Sequence, residues 1–169
     1  KEHQQAEKAY LHALELAPEN GNIHNNFGVF LCSVARYDEA ELGFLAAIAS
    51  PDYNQIADSY ENAGRCALEQ GNESQALTYL QSSLAYAPQN LDVRLSIAEL
   101  HFKLTEYAVA KQHLIKYESL SKATARSLWL GFNIADKQQA SAVAEVYSRQ
   151  LLAQFPLAFQ TQKYITHDY

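Results

Sequence analysis

Residues Asn22–Pro51 read NIHNNFGVFLCSVARYDEAELGFLAAIASP, and one pattern inside them decides the fold. Phe27-Gly28 sets a glycine directly after a large packing residue. Ala40, Phe44 and Ala47 follow at a four-then-three spacing, which lies on one face of an α-helix. Pro51 closes the segment, as proline ends a helix. The stretch is a pair of antiparallel helices, with small residues where their axes cross closely.

The pattern recurs along the chain. Ala6-Tyr10-Ala13, Ala40-Phe44-Ala47, Ala76-Leu80-Ser83, Ala110-Leu114-Tyr117 and Val143-Tyr147-Gln150 stand 34, 36, 34 and 33 residues apart. Phe27-Gly28, Ala63-Gly64, Ile97-Ala98 and Leu130-Gly131 interleave with them, 36, 34 and 33 apart. Pro18, Pro51, Pro88 and Pro156 end their units. A period of roughly 34 residues built from helix pairs is the tetratricopeptide (TPR) pattern. The expectation is an all-α TPR solenoid, a right-handed superhelix forming a single array. Gly28, Gly64, Ala98, Gly131, Ala40, Ala76 and Ala110 are expected at its packing contacts. We divide it into a half repeat 1–18, repeats 21–54, 57–90 and 91–123, a drifted capping repeat 124–156 and a tail helix 157–169. Two extra residues and a proline in Ser50–Asn54 predict a longer turn between repeats there.

Composition agrees. In 169 residues, 48 % hydrophobic and 19 % charged is the balance of a folded chain. Only 6 Gly and 4 Pro leave too few turns for a sandwich or barrel. A net charge of −6 without a basic stripe argues against nucleic acid as a partner. No run of about 18 apolar residues is present to span a membrane. The sequence starts at Lys1 and holds no Met, and its first helix matches the second helix of a unit. We therefore expect an N-terminally truncated chain whose Ala6, Tyr10, Ala13 face lacks its partner helix.

Catalytic motifs are missing: no HExxH, GxSxG, P-loop or GxGxxG occurs. The chain is expected not to be an enzyme and to carry no metal or cofactor. His101 falls at a large packing position, so a partly buried structural role is expected for it. TPR arrays bind partners along the concave face lined by their first helices. The residues expected there are Asn22, Asn25, Val29, Asp58, Glu61, Arg65, Asp92, Leu95, Glu99, Leu128, Trp129 and Phe132, graded from polar to apolar. Trp129 has two readings, partial burial against a neighbouring helix or an exposed contact in the groove. A clamp for a terminal carboxylate is excluded. Asn25 and Asn62 match it, but Val29, Asp92 and Ser96 replace the other clamp residues, and an acid repels a carboxylate.

Asn25-Asn26-Phe27-Gly28-Val29-Phe30-Leu31-Cys32 with Arg36-Tyr37-Asp38-Glu39-Ala40 resembles the PilF/PilW family of type IV pilus biogenesis and stability lipoproteins. Tyr60-Glu61-Asn62-Ala63-Gly64, Ala125-Arg126-Ser127-Leu128-Trp129-Leu130-Gly131 and Phe155-Pro156 are similar to later segments of that family. The resemblance implies a non-enzymatic, pilotin-like lipoprotein on the periplasmic face of the bacterial outer membrane. It implies protein partners, namely a PilQ-type secretin and other pilus assembly proteins, and a part in fimbrium biogenesis and twitching motility. Membrane attachment would run only through a lipid anchor outside this fragment, itself soluble. The alternative reading is another periplasmic or cytosolic TPR adaptor, in cell-envelope assembly or as a secretion chaperone.

Cys32 and Cys66 lie 34 residues apart in first helices of neighbouring repeats. An oxidising periplasm, as the resemblance implies, favours a disulfide between them. Two buried free thiols in separate packing sites are the other reading.

Overall fold

The structure is a computed structural model, which describes residues 2–167. Among the described residues there are ten α-helices and no strand. They are α1 (Glu2–Leu16), α2 (Gly21–Ser33), α3 (Tyr37–Ala49), α4 (Ile56–Gln70), α5 (Glu73–Tyr86), α6 (Leu91–Lys103), α7 (Tyr107–Glu118), α8 (Ala125–Lys137), α9 (Ser141–Gln154) and α10 (Phe159–Thr166). The all-α repeat architecture read from the sequence is present. The chain gathers into two compact units, one reaching Gln89 and one beginning at Asn90. Lys1 of the expected half repeat and residues 168–169 of the expected tail lie outside the described residues.

Local signals set the helix ends. Asn20 caps α2, its side chain accepting from the backbone N–H of Asn22 and Ile23 at 3.0 and 3.2 Å. Asn72 and Asn90 cap α5 and α6 in the same way, and Thr124 with Ser127 forms a capping box on α8. Each first helix hands over to its second through one left-handed residue: Ala35, Gly71, Thr105 or Gln139. Gly71, with φ 84°, adopts this conformation without a Cβ clash.

In the first unit, α2 pairs with α3 and α4 with α5. A Cβ on Gly28 would come within 2.8 Å of the Phe44 ring, and one on Gly64 within 2.7 Å of Leu80. Both helix pairs depend on that missing methyl. Leu31, Cys32, Ala40, Phe44, Ala63 and Cys66 form the core, with Phe27, Phe30, Tyr37 and Tyr79 packed around it. The longer turn in Ser50–Asn54 folds inward: Tyr53 is buried, and its ring lies over Gly21, where a Cβ would meet it at 2.5 Å. The α1 face is less bare than expected. Tyr10 is half-buried and stacks on Phe27 and Phe30 at 5.3 and 5.6 Å between ring centres. Arg36 ties Glu7 of α1 to Glu39.

In the second unit, α6 pairs with α7 and α8 with α9. Leu95, Ala98, Ala110, Leu114, Tyr117, Leu130 and Ile134 make its core. The last pair departs from the sequence reading by one residue. Val143 is 44 % exposed and Gln150 is exposed, whereas Ala144, Ser148 and Leu151 are buried. Ala144 follows Ala110 by 34 residues and precedes Pro156 by 12, as Ala76 precedes Pro88. This register puts Phe132, not Gly131, at the place of Gly28, Gly64 and Ala98, and the small Ser148 at that of Phe44. Gly131 is still a packing glycine, since its Cβ would meet the Tyr147 ring at 2.4 Å. Phe132 packs with Ala135 and Ala144, and Tyr164 of α10 meets its ring edge-on at 5.1 Å.

His101 is buried, with its Nδ1 2.5 Å from Glu106. Its ring stacks on His113 at 5.5 Å. Burial, then the charges of His101 and Arg94, hold the His113 pKa below its ordinary 6.5. Acid uptake near that pH therefore favours the unfolded chain, and stability falls as pH drops through it. His113→Gln should flatten this loss, measured by urea unfolding at pH 7 and pH 5. Gly64→Leu should cost ~2–3 kcal/mol through overpacking against Leu80, read from the same unfolding curves at pH 7.

Candidate functional site

In the first unit, α2 and α4 are joined by a buried polar layer. The Asn25 side-chain oxygen accepts from the Ser59 hydroxyl at 2.9 Å and from the Asn62 amide at 3.1 Å. The Tyr53 hydroxyl lies 2.7 Å from that of Ser59, and burial pushes the Tyr53 phenol up from its ordinary pKa. Asn25 is only 8 % exposed, so it is a tie between helices and not the surface contact expected. One helical turn and more along, Cys32 and Cys66 are joined as a disulfide with Cα atoms 5.8 Å apart. What α2 and α4 leave exposed is Asn22, Val29, Asp58 and Arg65. Glu61 is half-buried and accepts from Arg65 at 2.7 and 2.9 Å, an i,i+4 pair along α4.

The second unit departs further from the expected apolar groove. Leu95, Leu128 and Phe132 are 1 %, 1 % and 6 % exposed, so they fill the interior and offer no surface. Trp129 is half-buried and stacks on Phe132 at 5.7 Å, while its carbonyl accepts the Asn133 amide at 2.7 Å. Asp92 is exposed and Glu99 half-buried. Both stand beside a residue that the sequence reading passed over. Arg126 donates to both Glu99 oxygens at 2.6 and 2.5 Å and to Ser96 at 2.9 Å, with Asp92 at 3.9 Å. The Glu99 carboxylate raises the Arg126 pKa further, holding it charged. The repeat period could have found it: Asp58, Asp92 and Arg126 are successive residues of one repeat position, 34 apart, with the charge reversed at the last.

These surfaces can donate and accept hydrogen bonds and pair charges. Among the described residues no three His, Cys, Asp or Glu side chains gather as a metal cage. No described helix is long and apolar enough to cross a membrane.

Tetratricopeptide-repeat family models match residues 9–42 and 67–119. The type IV pilus assembly protein PilF of Pseudomonas aeruginosa is 30 % identical over 159 residues, 94 % of this chain, and this chain spans 63 % of that relative's length. A solved structure of PilW, a widely conserved type IV pilus biogenesis factor, is 30 % identical and superposes with a TM-score of 0.84 over 96 % of this chain and 74 % of its own. The chain belongs to the PilF/PilW family of TPR proteins. A solved structure of Pseudomonas aeruginosa PilF, at 29 % identity, agrees with a TM-score of 0.80, covering 97 % of this chain and 74 % of its own. For this PilF/PilW member, TPR architecture and likeness to type IV pilus biogenesis factors thus stand together.

The bridge between α2 and α4 closes a loop of 34 residues. In the chain-entropy account such a crosslink stabilises by roughly 3–4 kcal/mol. Thiol titration of the unfolded protein without reductant should therefore find no reactive thiol, and Cys66→Ser should lower unfolding stability by about that amount.

Proposed function

We propose that this chain is a non-enzymatic protein-binding scaffold of type IV pilus biogenesis that assists an outer-membrane secretin of the PilQ type to assemble or reach its place. The observation that carries the proposal is the family membership, with PilW alike over 96 % of the chain. The name of that relative, a type IV pilus biogenesis factor, supplies the process. The work takes place at the periplasmic face of the outer membrane, with attachment through a lipid and not through any described helix. The binding surface is the exposed part of the first helices: Asn22, Val29, Asp58 and Arg65 in the first unit, Asp92 and Glu99 in the second. Side chains there are held by intramolecular pairs such as Arg65–Glu61, so little ordering is needed when a partner docks.

The test uses the complete gene in its own bacterium. Deletion should abolish detergent-resistant secretin multimers and surface pili. Arg65→Glu should reduce both several-fold while the protein's own level and thermal melt stay unchanged, because Arg65 is exposed. Normal multimers in the deletion strain would refute the secretin role. Normal multimers with Arg65→Glu would remove the α4 face from the binding surface.

A further inference from the structure

The second helices share a position that breaks only once. Eight residues after the small packing residue they carry Leu14, Ile48, Leu84 and Leu152, but α7 carries Glu118. Its carboxylate is half-buried and accepts the Tyr147 hydroxyl at 3.0 and 3.3 Å. Among the described residues no cation pairs with it. A half-buried carboxylate in this state lacks the partner that burial ordinarily demands. Burial accordingly raises the Glu118 pKa.

A groove of about 570 Å³ opens beside it, between the end of α7, the start of α8 and α9. Its walls are aliphatic. Ala142, Val143 and Val146 line one side, with Leu128 and Tyr147 below. Val143 and Val146 are 44 % and 51 % exposed. The one-residue shift of the last helix pair creates this face, since it turns Val143 outward and Ala144 inward. None of the exposed first-helix residues of the proposed binding surface lines it.

An aliphatic groove with an uncompensated carboxylate at its edge complements a segment that supplies both an aliphatic run and a cation. Arginine suits it best, because its stem lies along apolar surface while its planar head reaches a carboxylate. We propose that the α7–α9 groove is a second docking site, for a short segment of a partner protein that carries an arginine within an aliphatic run.

The probe is a fluorescein-labelled heptapeptide of Leu and Val around a central Arg, capped at both ends and flanked by Gly-Ser. Matched peptides replace Arg by Gln or Glu. In anisotropy titrations against the whole chain, the Arg peptide should bind about tenfold tighter than the Gln peptide, and the Glu peptide should bind weakest. Glu118→Gln keeps an acceptor for Tyr147 and should erase the Arg-over-Gln preference. Glu118→Leu, which installs the residue type of the other second helices, should do the same with an unchanged melt. Val146→Asp should weaken all three peptides. Equal binding of the Arg and Gln peptides would overturn the proposal, as would an Arg preference that survives Glu118→Gln. So would absence of binding, or a dimer in sedimentation that Val146→Asp dissolves, since a second copy would then be the occupant.

Discussion

Each helix pair rests on the approach of a first helix to its second across a residue with almost no side chain. Gly28 lies under Phe44 and Gly64 under Leu80, at distances that leave no room for a methyl group. A side chain there would push the axes apart and strip dispersion contacts from the large residue opposite. Because the small residue and its large partner sit on different helices of one hairpin, their spacing along the chain cannot drift. The repeat length follows from this contact, and the left-handed residues at Ala35, Gly71, Thr105 and Gln139 keep to the same interval.

Close packing within pairs leaves a second requirement, that polar side chains drawn between neighbouring first helices be satisfied. Buried polar atoms without partners are costly, and these have partners. Asn25 takes two hydrogen bonds from α4, and Arg126 takes up Glu99 and Ser96 in the second unit. Residues that look like binding groups by type are therefore committed inside the protein. The surface open to a partner is smaller and more acidic than the helix faces themselves, with Asp58 and Asp92 exposed at the same repeat position.

The last helix pair reaches a close crossing by a different route. Its large residue, Phe132, sits where the others keep Gly or Ala, and Ser148 takes the place of the large partner. The crossing is relieved one residue earlier, where Gly131 receives Tyr147. Phe132 then needs cover, which Ala144 and the Tyr164 ring provide. The inversion of large and small explains both the aromatic cluster at the C-terminal end and the outward turn of Val143 and Val146.

The sequence by itself determined the helical class, the pairing of helices, the packing glycines and the family. These follow from residue type and spacing, which survive without coordinates because a small residue at a crossing is needed wherever the crossing recurs. The inward turn of Tyr53 and the coupling of Arg126 to Glu99 involve partners distant along the chain, and no local pattern names them. The binding surface was less legible still. Leu95, Leu128, Phe132 and Asn25 stand on first helices as expected, yet all are buried. An α-helix turns about 100° per residue, so one position separates a side chain facing solvent from one facing the core. The register of the last pair was readable from the interval between Ala144 and Pro156, but the choice between it and Val143 was made by burial. Only the tertiary structure decided which residues of each first helix remain for a partner, because that depends on the rotation of each helix against its neighbours.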